Sequence, residues 1–303
     1  MRLLVTLACS LALAGAGFAG SPPIPRETHR VVTGAEPCGA AGRGATLWVG
    51  VYTPGRLVAI DAASGRIVRS IRVGPTACRV ALGANVAWVA LDRPGNVVRI
   101  DLRSGRRRVA PVGPGAFDVA RAHGFVWAVS FEMGTVTLLD PRTGAVERVV
   151  RVGDHPTGLA SCGGRMWVGH GRASTWISSI DPRTLRVRRV QVAATEPRRP
   201  RCIGGVLWVA TPDSLLRVDP SGGRVLGRLR IGETLGDLAA APDRLVWVTD
   251  KQHSVVYRVD PSDLEVVDSF SAGPGAFAPA RTGRTMWVTS YAGSDVRGYT
   301  ATP

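Results

Sequence analysis

Seven tryptophans recur along the chain at nearly constant spacing. They are Trp48, Trp88, Trp127, Trp167, Trp208, Trp247 and Trp287. The intervals between them are 40, 39, 40, 41, 39 and 40 residues. A period near 40 in strand-rich sequence is typical of β-propeller blades, in which each repeat forms one small sheet. The sequence therefore predicts seven copies of one structural unit. The strand-rich character of the repeat excludes a mostly helical fold.

Each repeat contains the same succession of strand and turn words. The tryptophan lies near the start of a β-rich segment such as Leu-Trp-Val-Gly-Val at 47–51. An aliphatic–Asp pair follows, as at 60–61. Pro, Ser, Thr and Gly after this aspartate predict a turn, because an Asp side chain bonds the backbone that follows it. A run rich in β-branched residues, such as 146–152, completes the repeat. We predict four antiparallel strands per repeat, named inner, tryptophan, aspartate and outer, with the seven tryptophans in the core.

The last repeat lacks its outer strand. It ends after a third strand at 295–300, whereas the segment at 28–33 matches the outer-strand word at 148–153. Pairing of these two ends would close the ring and remove two unpaired sheet edges. The predicted fold class is therefore all-β: a seven-bladed β-propeller of four-stranded antiparallel blades, closed by the N-terminal strand and forming one domain over residues 27–303.

The first residues resemble an export signal. Arg2 precedes an apolar run at 3–14, which is about the length of a signal-peptide core and too short to span a bilayer. Gly17 and Ala19 provide small residues for cleavage. We predict a signal peptide at 1–19, an extended leader at 20–26, no transmembrane anchor, and a secreted or periplasmic protein. The alternative is a retained hydrophobic anchor.

Four cysteines remain after the predicted cleavage, in two pairs that are each one blade period apart. They are Cys38 with Cys78, and Cys162 with Cys202. In an exported protein this spacing predicts two disulfides between neighbouring inner strands. Free buried thiols are the alternative. A four-thiolate metal site is disfavoured, because the pairs belong to different blades and neither shows the short spacing of zinc sites.

The loops after the tryptophan strands, and those that lead into the inner strands, should emerge on one face. Their polar and aromatic residues vary from blade to blade, and variation on a rigid frame is where binding specificity is built. The candidate ligand-binding residues on this face are Tyr52, Asp92, Phe131, His155, His170, Asp250, His253 and Tyr291. The alternative for each is an ordinary solvated turn residue.

The order of the repeat words resembles the YVTN-repeat propellers and the streptogramin B lyase group of seven-bladed propellers, over residues 27–300. The lyase resemblance implies His and Glu near the channel mouth that hold Mg²⁺ and transfer protons. The matching residues, three after each tryptophan, are Val51, Leu91, Ser130, His170, Thr211, Asp250 and Ser290. None is Glu, so the chain offers at best His155, His170 and Asp250 for this chemistry.

The formal net charge is +15, and sixteen arginines fall in predicted outer strands. They are Arg26, Arg30, Arg66, Arg69, Arg72, Arg106, Arg107, Arg108, Arg148, Arg151, Arg186, Arg188, Arg189, Arg224, Arg228 and Arg230. A basic rim is expected everywhere except near the sixth repeat at 264–270. Such a rim protects sheet edges or, alternatively, attracts polyanions.

Three hypotheses follow for function. The first is a non-catalytic exported propeller, without a cofactor and expected to be a monomer, that binds a small molecule, a cell-envelope polymer or a protein through this loop face. The second is a lyase-like enzyme that depends on Mg²⁺ or Ca²⁺. The third is a weak polyanion binder that uses the arginine rim.

Overall fold

The computed structural model describes residues 23–300, and this part of the chain folds into seven four-stranded antiparallel sheets. The seven-bladed propeller is confirmed, and no α-helix occurs within the described residues. Accordingly, no helix there is long and apolar enough to cross a membrane. The predicted signal peptide at 1–19 lies outside the described residues, as do 20–22 of the leader.

Blades one to four are each continuous in sequence and run from an inner to an outer strand. Their strands are β2 Pro37–Arg43, β3 Thr46–Val51, β4 Arg56–Asp61 and β5 Ile67–Arg72; β6 Ala77–Leu82, β7 Val86–Leu91, β8 Asn96–Asp101 and β9 Arg107–Pro111; β10 Val119–Ala122, β11 Phe125–Ser130, β12 Thr135–Leu139 and β13 Val146–Arg151; and β14 Pro156–Cys162, β15 Arg165–His170, β16 Trp176–Ile180 and β17 Val187–Gln191.

Blades five and six repeat this order, and blade seven combines both ends of the described chain. Their strands are β18 Arg199–Ile203, β19 Val206–Ala210, β20 Ser214–Val218 and β21 Val225–Arg230; β22 Leu235–Ala240, β23 Val246–Asp250, β24 Val255–Asp260 and β25 Glu265–Ser271; and β26 Ala276–Thr282, β27 Thr285–Ser290, β28 Asp295–Thr300 and β1 Arg26–Val32.

The aspartate turns form as the sequence predicts. In blade two, Asp101 Oδ1 accepts the backbone N–H of Ser104 at 2.7 Å and its hydroxyl at 2.9 Å. These hydrogen bonds to the charged form lower the pKa of the Asp101 carboxyl. Asp140 and Asp181 make the equivalent backbone bonds in blades three and four. In these blades one aspartate side chain therefore stabilises the turn that joins the third and fourth strands.

The repeated tryptophans form the core between blades. Six of them are at most 1% exposed, and Trp48 is 8% exposed. Trp48 lies in one cluster with Val89 and Ile100 of blade two. Because each tryptophan packs across a blade boundary, the seven residues hold neighbouring sheets together, and their role is structural as predicted.

Ring closure is also confirmed. Strand β1 pairs antiparallel with β28, from Arg26 opposite Thr300 to Val32 opposite Asp295. The strand thus begins inside the predicted leader and ends before Thr33. Its contribution to the core comes from Val31, which is 7% exposed and lies among blade-seven and blade-one residues.

Both predicted disulfides are present, Cys38–Cys78 between blades one and two and Cys162–Cys202 between blades four and five. Each closes a loop of 40 residues. In the chain-entropy account such a loop contributes about 4 kcal/mol to stability. Gly50 shows how closely the blades approach here, because a Cβ at this position would lie 2.0 Å from the Cys78 carbonyl oxygen.

The arginines of the outer strands are exposed as expected, apart from the half-buried Arg69. Several of them donate to backbone carbonyls of a neighbouring blade. Arg108 Nη1 reaches Thr143 O at 2.9 Å, and Arg188 Nη2 reaches Gly222 O at 2.8 Å. These bonds join adjacent blades at their outer edges, which gives part of the basic rim a structural role.

Candidate functional site

A cavity of about 210 Å³ opens at the centre of the loop face, where the channel of the ring begins. We call it the mouth cavity. Its walls come from residues just after a tryptophan strand, from the first residues of an inner strand, and from Phe117 in the loop that leads into β10. The lining residues are Cys38, Tyr52, Cys78, Asp92, Phe117, Arg199, Lys251, Phe277 and Tyr291. Six of the seven blades therefore contribute, and the Cys38–Cys78 disulfide forms part of the wall.

Aromatic rings pack together along one side of the mouth cavity. Tyr291 lies between two others, with ring centroids 6.2 Å from Tyr52 in an edge-on arrangement and 5.6 Å from Phe277. The Tyr52 hydroxyl donates to Asp92 Oδ2 at 2.8 Å. Burial and this bond raise the pKa of Tyr52, so the phenol stays protonated at neutral pH. The arrangement presents flat apolar surfaces and a fixed hydroxyl to any occupant.

Cationic groups surround the ring of Phe277. The Lys251 ammonium lies 5.2 Å from the Phe277 centroid and 4.6 Å from that of Tyr291. The guanidinium of Arg79 lies 4.8 Å and that of Arg199 5.8 Å from the Phe277 centroid. Cation–π attraction stabilises such positions. The mouth cavity thus combines aromatic walls with a concentration of positive charge.

Below the mouth, the channel contains a network of buried charges. Arg79 Nη1 and Arg201 Nη2 both donate to Asp237 Oδ2, the second at 2.6 Å. Arg201 Nη1 also lies 3.5 Å from Asp118 Oδ2. Asp237 is only 3% exposed. Burial alone would raise the pKa of Asp237, but Arg201, Arg79 and Arg199 hold it at about 2. The network therefore remains ionised at neutral pH.

A second cavity of about 300 Å³ adjoins the mouth cavity and shares Phe117 and Arg199 with it. It lies over blades three to five. Phe131 forms its other aromatic wall, with the Arg172 guanidinium 4.9 Å from the ring centroid. His155 packs against Phe131 with ring centroids 4.7 Å apart. The two cavities give the loop face a continuous depression.

The structure brings together only some of the predicted site residues. Tyr52, Asp92 and Tyr291 line the mouth cavity, and Phe131 lies in the adjoining one with His155 against it. The remaining three residues, His170, Asp250 and His253, line neither cavity.

His170 is fully buried within blade four. In the neutral ring, Nδ1 donates to Asp154 O at 2.7 Å, and Nε2 lies 2.9 Å from the Ser178 hydroxyl oxygen, whose proton goes to Val152 O at 3.0 Å. Both ring nitrogens are thus in contact with polar groups of the surrounding strands and loop. These are the contacts of a satisfied core histidine, and they also differ from the solvated turn residue that was the alternative to a site role.

Asp250 is also fully buried, and its carboxylate organises its own loop. Oδ1 accepts the backbone N–H of Gln252 and of His253, and Oδ2 accepts that of Glu233. The His253 ring lies 3.1 Å from Oδ2. These bonds leave the Asp250 carboxylate little capacity for a metal ion.

The residues therefore do not fit the Mg²⁺ site that the lyase resemblance implies. Within residues 23–300, no three His, Cys, Asp or Glu side chains are placed to hold one ion. The two groups nearest to the family pattern, His170 and Asp250, are engaged by their own blades.

The burial of His170 predicts a pH-dependent stability. Burial, with a smaller effect of Arg189, lowers its pKa to about 4 despite the hydrogen bond to Asp154. An unfolded histidine titrates near pH 6.5, so between these values the unfolded chain binds a proton that the folded chain does not. We expect the free energy of unfolding to fall by up to about 3 kcal/mol as the pH drops from 6.5 to 4.

The measurement is urea unfolding at several pH values. His170→Gln should flatten the slope in this range, whereas His123→Gln, at an exposed histidine, should keep it. An unchanged slope in His170→Gln would assign the pH dependence to other groups.

The eight predicted site residues do not include the cationic part of the site. Arg79, Arg199 and Arg201 lie on inner strands, and so does Asp237. The sequence signal that could have identified these residues is the presence of charged side chains on inner strands, which are expected to line the channel. A buried charge needs partners close by, so such residues are expected to lie near one another. Which of them meet depends on the ring, since Arg79 and Asp237 are 158 residues apart.

No protein-family model and no curated protein sequence matches the chain. Among solved structures it is similar to a streptogramin B lyase, with a TM-score of 0.78 and 12% identity, covering 92% of this chain and 97% of that one. A catalytically inactive virginiamycin B lyase from Staphylococcus aureus with quinupristin gives 0.78 and 12%, covering 91% and 98%.

The Cps50 (Swd1) β-propeller domain of Myceliophteria thermophila gives a TM-score of 0.79 at 14% identity, covering 92% of this chain and all of that domain. At such low identity these likenesses show a shared architecture and leave activity open. The resemblance to YVTN-repeat propellers rests on the repeat words alone. The chain therefore has the propeller fold that is seen in streptogramin B lyase and in the Swd1 domain.

Proposed function

We propose that the protein is a non-catalytic binding protein that takes a small molecule into the mouth cavity. The observation that supports this is the convergence of Tyr52, Phe277 and Tyr291 from blades one and seven on one concave space, beside Lys251. Concave sites with apolar walls and a few placed polar groups are typical of small-molecule binding. A polymer or protein partner, the alternatives on this face, would need a broader contact surface.

We also propose that it acts outside the cytoplasm. Two disulfides support this, because such bonds persist in oxidising compartments and are rare in the cytosol. The predicted signal peptide at 1–19 agrees with the same placement.

The lyase-like alternative has less support. It requires a positioned base and a metal ion. Its best candidates, His170 and Asp250, are buried and hydrogen-bonded within their own blades. If purified protein bound one Mg²⁺ or Ca²⁺ in a manner that depended on His170, the enzyme hypothesis would replace the one proposed here.

The proposed function predicts that small aromatic probes occupy the mouth cavity. We expect saturation-transfer NMR to detect 3-phenylpropionate or its neutral amide on the wild-type protein. Tyr291→Ala should weaken this binding at least about tenfold, since a stacked aromatic contact and its buried area are both lost.

Tyr257→Ala is the matched control. Tyr257 is also half-buried but lies on the third strand of blade six, outside the mouth cavity. Melting temperatures of both variants verify that they fold. The proposal fails if neither probe binds, or if binding ignores Tyr291.

A further inference from the structure

Building on the proposed function, we propose that the mouth cavity selects aromatic ligands that carry an anionic head group, either a carboxylate or a phosphate. The head group lies between Lys251 and Arg199. The argument depends on which charges at the channel mouth already have partners and which do not.

Lys251 and Arg199 have no carboxylate partner within ion-pair distance among residues 23–300. The ammonium of Lys251 faces the rings of Phe277 and Tyr291 instead. Arg199 donates Nη1 to the backbone carbonyl of Thr157 at 2.8 Å. Two half-buried cations thus line the same cavity, held by π faces and a neutral carbonyl.

The carboxylates nearby are already engaged. Asp92, which also lines the mouth cavity, accepts the Tyr52 hydroxyl. Asp118 and Asp237 lie in the channel below and interact with Arg201, and Asp237 also with Arg79. Across the mouth cavity and the channel below it, four cations (Arg79, Arg199, Arg201 and Lys251) therefore face three aspartates (Asp92, Asp118 and Asp237).

Arg79 adds a second, independent observation. Its side chain is about 94% buried, yet Nε and Nη2 have no hydrogen-bond partner. Buried polar groups are normally satisfied, and an unmet guanidinium donor is costly. Since Arg79 packs on Phe277 from the channel side, it adds its charge to the field of Lys251 and Arg199.

This crowding of positive charge also lowers the pKa values of the same groups. Burial lowers the pKa of Lys251, and Arg199, Arg198 and Arg79 lower it further. Burial and Arg79 lower the pKa of Arg199 to about 9. An anion between them would offset this repulsion.

The shape of the cavity limits the rest of the ligand. A volume of about 210 Å³ is below the range of about 300–1,000 Å³ that is usual for drug-sized ligands. It suits one ring, and Phe117 and Tyr291 supply aromatic surfaces for it. A longer ligand would continue past Phe117 into the adjoining cavity.

The chain offers a direct test, because Lys251 is its only lysine. The purified protein is treated with an amine-acetylating reagent, and acetylation of Lys251 is followed by mass spectrometry, with the terminal α-amine as the internal reference. We expect 3-phenylpropionate and phenyl phosphate to protect Lys251. The isosteric but neutral 3-phenylpropionamide should protect it at least about tenfold more weakly, the value of one charge-assisted contact. The more protective of the two anions identifies the head group.

Titration calorimetry on variants completes the test. Lys251→Met should remove most of the preference for the acid over the amide, whereas Lys251→Arg should retain it. Arg107→Met, an exposed rim arginine, is the matched control and should keep the wild-type preference.

Equal binding of acid and amide at a Tyr291-dependent site would overturn the anion inference and leave the proposed function standing. Absence of any Tyr291-dependent binding would overturn both. A preference for the acid that survives in Lys251→Met would place the anion elsewhere and also contradict the inference.

Discussion

A chain that begins at residue 33, without strand β1, is expected to lose cooperative unfolding and to aggregate. Strand β1 forms six registered pairs with β28 and completes blade seven. Each backbone hydrogen bond contributes about 0.5–1.5 kcal/mol net, and burial of Val31 about 2 kcal/mol more, so the loss is on the order of 5 kcal/mol. That is comparable with the total stability of many domains. The exposed edge of β28 would then be free to pair with other chains.

Two point variants test the same closure in the full-length chain. Val31 is 7% exposed and lies in the cluster that includes Trp287, whereas its neighbour Val32 is 69% exposed. Val31→Asp should lower the free energy of unfolding by at least about 3 kcal/mol, because it places an unpaired charge in the core. Val32→Asn, one residue further along the strand and left uncharged because Asp295 lies opposite it, should change it by less than about 1 kcal/mol.

Urea unfolding followed by tryptophan fluorescence provides the measurement. A synthetic peptide of residues 23–33, added to the truncated chain during refolding, should restore a single unfolding transition. If the truncated chain unfolds like the full-length protein, the N-terminal strand has no role in holding the ring closed.

Replacement of Asp237 by Asn is expected to cost about 3–5 kcal/mol of stability, the range for removing one partner of a buried ion pair. Asp237 is the carboxylate shared by Arg79 and Arg201. Its loss would leave Arg79 with an uncompensated buried charge. Two atoms of this side chain, Nε and Nη2, already have no hydrogen-bond partner. The pKa of about 2 also means that the pair is lost on acidification only well below pH 4. Its contribution to stability is fully present above about pH 5, where an unfolded Asp with a pKa near 3.9 is also ionised, and it declines as the pH falls toward 2.

Asp213→Asn is the matched control, since Asp213 pairs with the exposed Arg230 at 3.4 Å. Surface pairs of this kind contribute about 0–1 kcal/mol. Chemical unfolding of the two variants at pH 7 should separate them clearly. Equal effects would show that the channel network contributes no more than an exposed pair does.

The fold could be predicted from sequence because its determinants recur. The spacing of Trp48, Trp88 and the five later tryptophans, together with the aspartate turns, defines blade number and strand order without any knowledge of long-range contacts. The two disulfides could be predicted for the same reason, because the partners in each pair are one period apart.

The candidate site could be predicted only in part. Tyr52, Asp92 and Tyr291 follow tryptophan strands, so their shared face could be read from the repeat. The burial of His170 could not be predicted from the sequence, because its partners Asp154 and Ser178 are neighbours only in the folded blade. The meeting of Arg79 with Asp237 depends on closure of the whole ring.

The arginines of the outer strands leave one gap in the circumference of the disc. Strand β25 of blade six, Glu265–Ser271, has no arginine and contributes Glu265 and Asp268. Asp268 is paired with Arg258 of the same blade, so this sector is close to neutral, whereas the outer strands of the other blades form a cationic arc. Near a negatively charged surface, this uneven charge distribution orients the protein with blade six facing away from the surface. The plane of the ring is then perpendicular to the surface. In that orientation the axis of the channel lies parallel to the charged surface.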